Sequence, residues 1–214
     1  MKSFIVSSLC IASIGVVSAA SIVFNLDAPE GNHTASASSN DFGSGVTVSS
    51  ATIPGNYRKF QNGRAELSVQ NPTPNILQFT VTVDDTTTID LSTLAFDYGY
   101  VNPVAPNDVT PFWNLSLTSG SADALSGGVG TVATGDTSFH ASPESLNLSG
   151  LTNLTDTSVT FTYSFTTTEG RNNNSFNRIH TMDNIVLSGA VVPEPSSAAL
   201  LGLGGLALLM RRRK

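Results

Sequence analysis

The chain has 214 residues, a formal net charge of -6, 12% charged residues and one cysteine. This length fits one ordinary domain with a hydrophobic core, or two very small ones, and we favour one. The low charge and acidic balance exclude a typical nucleic-acid-binding protein, which needs a basic surface to neutralise phosphates. One cysteine excludes an internal disulfide and a cysteine-rich zinc site. Ser and Thr form about a quarter of the chain, which favours strands and turns over helices.

The first 20 residues have the pattern of a secretory signal peptide. A lysine near the start is followed by a mostly apolar run over 4–17 and by small residues at 18–20. We expect cleavage after Ala19 or Ala20. A buried first strand or an uncleaved anchor is the alternative, but the apolar run is short for a bilayer. Cys10 lies in this segment, so the predicted mature protein has no cysteine.

The last 24 residues have a different pattern. Pro193 and Pro195 flank Glu194, and two such prolines end a strand or a helix. The uncharged stretch 196–210 would be roughly 22 Å long as a helix, shorter than the roughly 30 Å hydrocarbon core of a bilayer. The body would lie outside the membrane, because four terminal cations are expected to stay on the cytoplasmic side: Arg211, Arg212, Arg213 and Lys214.

These residues resemble the PEP-CTERM sorting signal of Gram-negative bacteria, which combines the motif Pro193-Glu194-Pro195 with a short membrane helix and a terminal arginine cluster. The resemblance covers about a ninth of the chain. It implies export, transient membrane retention, and processing near the motif by an exosortase, an integral-membrane transpeptidase-like enzyme. In this family such signals accompany exopolysaccharide and biofilm-matrix systems. An ordinary tail anchor with a basic flank is the alternative.

Between the two ends, residues 21–190 are expected to form one all-β domain. Apolar residues come in short runs, many with the period-2 alternation of a strand that has one buried face. Turn-forming residues separate these runs, and no segment has a helical pattern of apolar residues. The clearest runs are 76–83 and 159–165, and the others are 21–26, 65–69, 94–100, 113–118, 145–148 and 184–188.

Many short strands at this spacing predict an antiparallel β-sandwich, with a jelly roll of about eight to ten strands as the favoured form. The string from His180 to Gly189 also resembles the last strand of jelly-roll domains that often precede this sorting signal, and those domains are similar to carbohydrate-binding modules. That resemblance covers ten residues. The predicted core comprises Phe79, Val81, Phe96, Leu115, Leu117, Phe161, Tyr163, Phe165, Ile185 and Leu187.

No pattern of catalytic residues is found in the body, so we do not expect an enzyme. His33, His140 and His180 belong to no metal-binding or serine-hydrolase motif, and we interpret each as a solvated surface residue. The adjacent carboxylates Asp84 and Asp85 are better explained by a turn than by a catalytic pair. Glycosidase carboxylates are brought together by folding rather than by sequence spacing. A secreted hydrolase acting on polysaccharide is therefore the alternative function.

Calcium is a candidate ligand, because the body is rich in hard oxygen donors. The first and last strands of a jelly roll often share a sheet, which would bring Asp27 and Glu30 near Asp183. The alternative is that these are solubilising surface acids, and no other cofactor is predicted. A thermal melt with and without EGTA tests the hypothesis, and an unchanged midpoint would remove it.

Sugar binding would use aromatic ring faces beside polar planar groups. Aromatic residues are concentrated at 96–100 and 112–113, so Tyr98, Tyr100 and Trp113 are candidate glycan contacts, with packing in the core as the alternative. Arg171 and Arg178 flank an asparagine-rich segment and form the other candidate contact. A solvated hairpin turn is the alternative for that segment.

The overall charge hides an uneven distribution. Residues 21–192 hold five Lys and Arg against fifteen Asp and Glu, a difference of -10. The sequence thus predicts an acidic exported domain between two basic-flanked ends. Its expected role is that of a bacterial surface or extracellular-matrix protein, structural or adhesive within exopolysaccharide, with weak glycan binding and no nucleic-acid partner.

Overall fold

The computed structural model describes residues 18–26, 33–53, 58–61, 64–68, 75–101, 110–118, 125–128, 140–167 and 179–193. The regular secondary structure within these ranges consists of β-strands alone, so the expected all-β class is confirmed. They are β1 (Ser18–Phe24), β2 (Thr34–Ala35), β3 (Ser39–Asn40), β4 (Val46–Val48), β5 (Ala51–Thr52), β6 (Arg58–Gln61), β7 (Arg64–Ser68), β8 (Asn75–Val83), β9 (Thr88–Val101), β10 (Pro111–Leu117), β11 (Leu125–Gly128), β12 (His140–Asn147), β13 (Thr157–Thr167) and β14 (Ile179–Val192).

The strands form two antiparallel sheets. The first sheet has the order β12-β9-β14-β1-β3, with β7 also beside β14 and β6 beside β7. The second has the order β11-β10-β13-β8-β5-β2, with β4 also beside β8. Eight of these strands, in the orders β7-β14-β9-β12 and β8-β13-β10-β11, have the arrangement of a jelly roll, in which the chain repeatedly crosses between the sheets. The predicted jelly-roll sandwich is confirmed.

The alternating pattern of β8 and β13 places the core between the sheets. Every second residue of 77–83 and of 159–165 is buried. Phe79 of β8 is opposite Phe161 of β13, and the two rings stack 4.8 Å apart. Phe24 of the first sheet contacts Phe79 across the sandwich, with 4.9 Å between ring centroids. Such aromatic pairs add to the stability that burial of apolar surface provides.

The predicted core is confirmed, since nine of its ten residues are buried and Leu117 is half-buried against them. The turn predicted at Asp84 and Asp85 is confirmed as well. Asp84 Oδ1 accepts hydrogen bonds from the hydroxyl and the backbone N–H of Thr86, both at 3.0 Å. The hydroxyl bond is the main cause that lowers the pKa of this exposed carboxyl, with further bonds from the backbone of Thr86 and from Thr87.

Several strands extend beyond the expected runs, among them β9, which covers Thr88–Val101 rather than 94–100. β1 begins at Ser18 rather than at residue 21, and β14 covers Ile179–Val192 rather than 184–188. No helix within the described ranges is long and apolar enough to cross a membrane. The apolar part of the expected signal peptide and the expected membrane helix lie outside the described residues.

Candidate functional site

The aromatic residues of β9 and β10 lie in the interior. Tyr98 and Tyr100 are 0% exposed and Trp113 is 1% exposed. Tyr98 stacks 6.0 Å from Phe165 of the second sheet, and Trp113 meets the ring of Phe96 edge to face at 5.0 Å. The expectation that these three side chains contact a glycan is therefore corrected. They point between the sheets because the apolar and aromatic positions of each strand share its inward face.

His180 of β14 is buried among these rings, so its predicted position at the solvated surface is wrong. Its Nδ1 lies 2.8 Å from the hydroxyl oxygen of Tyr98. Its ring centroid is 5.0 Å from that of Tyr100 and 5.6 Å from that of Phe165. Within the described part of the chain, His180 Nε2 has no hydrogen-bond partner. Burial lowers the pKa of His180 to about 3, so the imidazole is neutral at physiological pH.

The chemistry available in this interior cluster is limited. Desolvation raises the pKa values of Tyr98 and Tyr163 well above that of a free tyrosine, so both phenols stay protonated. A buried neutral imidazole whose pKa is about 3 is poorly suited to general acid–base catalysis near neutral pH. The cluster is a structural element that fixes β9, β13 and β14 against one another.

Two carboxylates are cross-strand neighbours on the outer face of the first sheet. Asp183 of β14 is opposite Asp97 of β9, next to a bulge. Asn184 bridges them, because its Nδ2 donates to Asp97 Oδ2 at 2.7 Å and its backbone N–H donates to Asp183 Oδ1 at 2.7 Å. Its φ of 49° is left-handed, a conformation that Asn tolerates better than most residues. Directly opposed like charges are unfavourable, and the two hydrogen bonds offset that repulsion.

The calcium hypothesis stays a prediction. Asp27 and Glu30 lie outside the described residues. Of the three proposed ligands only Asp183 is described, and its neighbours are Asp97 and Asn184. In the ranges that the structure covers, no three His, Cys, Asp or Glu residues are grouped so that they could hold a metal ion.

The remaining predicted site residues are mostly outside the described ranges. Arg171 and Arg178, Glu194 and Pro195, and the four cations at 211–214 all fall there. Pro193 is the last described residue and follows directly on β14. The sorting motif therefore begins where the last strand of the sandwich ends.

The outer face of the second sheet carries a surface that the sequence analysis did not identify. We call it the hydroxyl face. It consists of the outward side chains of five strands, which are half-buried or exposed and uncharged. Its polar members are Thr47 of β4, Thr52 of β5, Gln78, Thr80 and Thr82 of β8, Asn114 and Ser116 of β10, and Ser158, Thr160, Thr162 and Ser164 of β13, and the half-buried Ile76 of β8 lies beside them.

The hydroxyl face is ordered by strand register. Thr80 lies opposite Thr160, with 2.9 Å between the hydroxyl oxygens, and Thr82 lies opposite Ser158, also with 2.9 Å between them. Neighbouring rows are about 6.8 Å apart along a strand and neighbouring columns about 4.8 Å apart across strands. The signal was visible in the sequence, since uncharged polar residues, mostly Thr and Ser, occupy the alternate positions between the buried residues of β8 and β13. Without the strand order it did not indicate one shared surface.

Comparison with known protein families identifies the C-terminal part of the chain. Residues 191–214 match the family model of the PEP-CTERM protein-sorting motif, which confirms the resemblance stated from the sequence. A signal of this kind implies export, C-terminal anchoring before processing by an exosortase, and then a position at the cell surface. No curated protein sequence matches the chain.

Several solved structures are similar to the body. A variant of a family 29 carbohydrate-binding module is 13% identical, with a TM-score of 0.34 over 80% of this chain and 87% of that one. An arabinose-bound α-L-arabinofuranosidase is 9% identical, with a TM-score of 0.38 over 79% and 26%. A family 11 module from Clostridium thermocellum, in complex with a mixed-linked tetrasaccharide, is 16% identical, with a TM-score of 0.26 over 78% and 95%. At these identities the likeness concerns the fold alone.

Proposed function

We propose that this protein is an exported bacterial surface or matrix component that an exosortase processes at its C-terminus, with an adhesive or structural role within exopolysaccharide. The observation that carries the proposal is the direct passage from β14 into the sorting motif at residues 191–214. The body is thus a folded domain presented outside the membrane by its own last strand.

The hydroxyl face is the surface proposed to contact polysaccharide. Each hydroxyl has one donor and two acceptor lone pairs, so the bond between Thr80 and Thr160 leaves further donor and acceptor capacity pointing outward. The described side chains of this face carry no charge, whereas the body is acidic. This combination favours a neutral glycan over an anionic one, because like charges repel. Many weak contacts along a long polymer would together give useful avidity.

The proposed role is not catalytic. The buried histidine is unsuited to acid–base work near neutral pH, and Asp97 and Asp183 are already bonded to Asn184. A polysaccharide hydrolase, the alternative from the sequence, would need a carboxylate pair in a cleft. Assay of the purified body for release of reducing ends from neutral polysaccharides tests this point, and activity lost on Asp97→Asn would overturn the non-catalytic role.

Cell fractionation tests the sorting part of the proposal. The truncated chain should end at Val192, so that β14 keeps its pairing with Thr88 and Ile89 of β9. We expect full-length protein to be retained at the membrane and then processed, and the truncated protein to be released without retention. Glu194→Ala in the full-length chain is the matched point variant. Identical localisation of all three proteins would contradict the proposal.

Affinity electrophoresis in neutral and in anionic polysaccharide gels tests the glycan contact. Thr80, Thr82, Thr160 and Thr162 are changed together to Val, which keeps side-chain shape and strand propensity. We expect several-fold weaker retardation in the neutral gel. The control changes Thr93→Val and Ser145→Ala on the outer face of the first sheet, where both residues are exposed. Equal retardation of the two variants and the native protein would exclude the hydroxyl face.

A further inference from the structure

The two predicted processing sites of the chain lie side by side in the first sheet. In the antiparallel register of β1 and β14, Ser18 is opposite Val191 and Ala20 is opposite Gly189. Ser18 and Ala20 belong to the segment where the signal peptide is expected to be cut. Val191 is the first residue that matches the sorting motif. Removal of the signal peptide therefore changes the surroundings of the sorting signal.

The hydrogen bonds of β1 show which backbone groups face β14. The carbonyl oxygens of Ser21 and Val23 accept bonds from the N–H groups of Asp41 and Ser38, at 2.8 and 2.6 Å, on the side of β3. Because backbone groups alternate in direction along a strand, the N–H and C=O groups of Ser18 and Ala20 point the other way. They face the residues opposite them in β14.

The backbone groups of β14 that face β9, on its other side, are identified in the same way. The N–H groups of Ile89 and Leu91 donate to the carbonyls of Leu154 and Leu151, at 3.0 and 2.9 Å, away from β14. The alternate residues Thr88 and Asp90 therefore face Val192 and Ala190. It follows that Ala190 and Val192 are held by β9, whereas Gly189 and Val191 direct their backbone groups at β1.

We propose that removal of the signal peptide after Ala20 opens a strand-addition site at Gly189 and Val191, and that the exosortase binds the sorting segment there as an extended strand. The proposal rests on the proposed function. Once the first residues of β1 are gone from this edge, the backbone donors and acceptors of Gly189 and Val191 are unpaired immediately before Pro193. Backbone hydrogen bonds to an open edge are a common way of recognising extended segments. The opening is only a few residues long, because β1 still covers β14 from Ser21 onward.

A processing enzyme fits this opening better than a second copy of the chain. An enzyme needs only a short extended segment next to the bond that it cuts, and this edge runs without a break into the motif. Stable pairing between two copies would need a longer free edge. The order of events also follows. Ala20 is 8% exposed and paired with β14 in the uncleaved chain, so this pairing must be absent or undone when the signal peptide is cut, and the cut then leaves Gly189 and Val191 uncovered.

The test compares full chains expressed in a bacterium that has the exosortase. In one variant a heterologous leader replaces residues 1–17 and is cut before Ser18, so that the exported chain keeps Ser18 and Ala20. N-terminal sequencing verifies the start of each exported protein. C-terminal processing is measured by pulse-chase labelling and intact mass. We expect it to be roughly tenfold slower than in the native chain, because the enzyme must displace paired backbone groups.

The matched control keeps the same extension but carries Ala20→Pro, which removes the internal N–H group that faces Gly189 and leaves Ser18 unchanged at the leader cleavage site. This control should be processed at close to the native rate. Thermal melts establish that both variants are folded. Equal rates for the native chain and the extended variant would overturn the inference, as would slow processing of the proline control or a native N-terminus at or before Ser18. A native chain that is never processed would instead contradict the proposed function.

Discussion

The imidazole Nδ1 of His180 and the hydroxyl oxygen of Tyr98 are 2.8 Å apart in the interior of the sandwich. The two residues lie on the neighbouring strands β14 and β9 of the first sheet. Within the described residues this is a buried polar contact between side chains in a core made largely of apolar and aromatic groups. Stability should therefore depend on the contact and on the protonation of the histidine.

Acid should destabilise the fold through His180. Its pKa is about 3 in the folded protein against a reference value of 6.5, so below pH 6.5 the unfolded chain binds a proton that the folded protein does not. Stability is then lost by up to about 1.4 kcal/mol per pH unit, until the pH reaches the folded-state pKa. Urea unfolding between pH 7.5 and 5 measures this slope. We expect His180→Phe to flatten it and His33→Gln, at an exposed position, to leave most of it.

Tyr98→Phe should destabilise the protein by about 1–3 kcal/mol, because His180 Nδ1 would lose its partner in a buried position. Tyr163→Phe is the matched control, since the Tyr163 hydroxyl is buried and has no hydrogen-bond partner among the described residues. Its removal should change stability by less than about 0.5 kcal/mol or raise it slightly. Equal losses for the two variants in denaturant unfolding would show that the contact between Tyr98 and His180 contributes little.

Gly189→Ala should destabilise by about 1–3 kcal/mol through overpacking. A Cβ at this position would lie 2.3 Å from the backbone oxygen of Asp90 and 3.1 Å from Phe42 Cζ. Gly150→Ala is the control, because a Cβ there meets nothing within 4 Å. Thermal melts of the two variants give the comparison. A Gly189→Ala protein as stable as the Gly150→Ala protein would contradict this close approach of β14 to β9.

Two substitutions at Asn184 separate its backbone and side-chain roles. Asn184→Gly keeps the left-handed conformation but loses the donor to Asp97, at a cost of about 0.5–1.5 kcal/mol. Asn184→Ala loses the same donor but retains a Cβ at a φ of 49°, where Ala is less favourable than Gly by about 1–2 kcal/mol. Urea unfolding in low and high salt should show part of both losses recovered in salt, which screens the repulsion between Asp97 and Asp183. Equal stability of the two variants would exclude backbone strain at this bulge.

The sandwich could be predicted from the sequence because apolar and polar residues alternate regularly along its long strands. The runs at 76–83 and 159–165 predicted both the strands and their buried faces, and the jelly-roll topology followed the expected class. Short strands such as β2 and β5 have two residues each, which is too few to show an alternation of apolar and polar residues. Their existence depends on the neighbouring strands that they pair with.

The prediction that His180 lies at the surface was wrong for a specific reason. His180 and Met182 face the core, and so do Ile185 and Leu187, but the bulge between Asp183 and Val186 separates the two pairs by three residues instead of two. A bulge shifts which residues face inward, so the period-2 pattern hides the inward position of the histidine. The aromatic positions of β9 were ambiguous in a different way. Alternation shows that they share one face, and only the position of the second sheet shows that this face is the interior.

The position of β14 also determines how the body would carry load while its C-terminus is held at the membrane. β14 lies between β9 on one side and β1 and β7 on the other, and its last residue precedes Pro193. A pull on the anchor therefore acts along the strand axis and shears many backbone hydrogen bonds at once, instead of peeling them one by one from an edge. An anchored sandwich of this kind would resist extension as a unit.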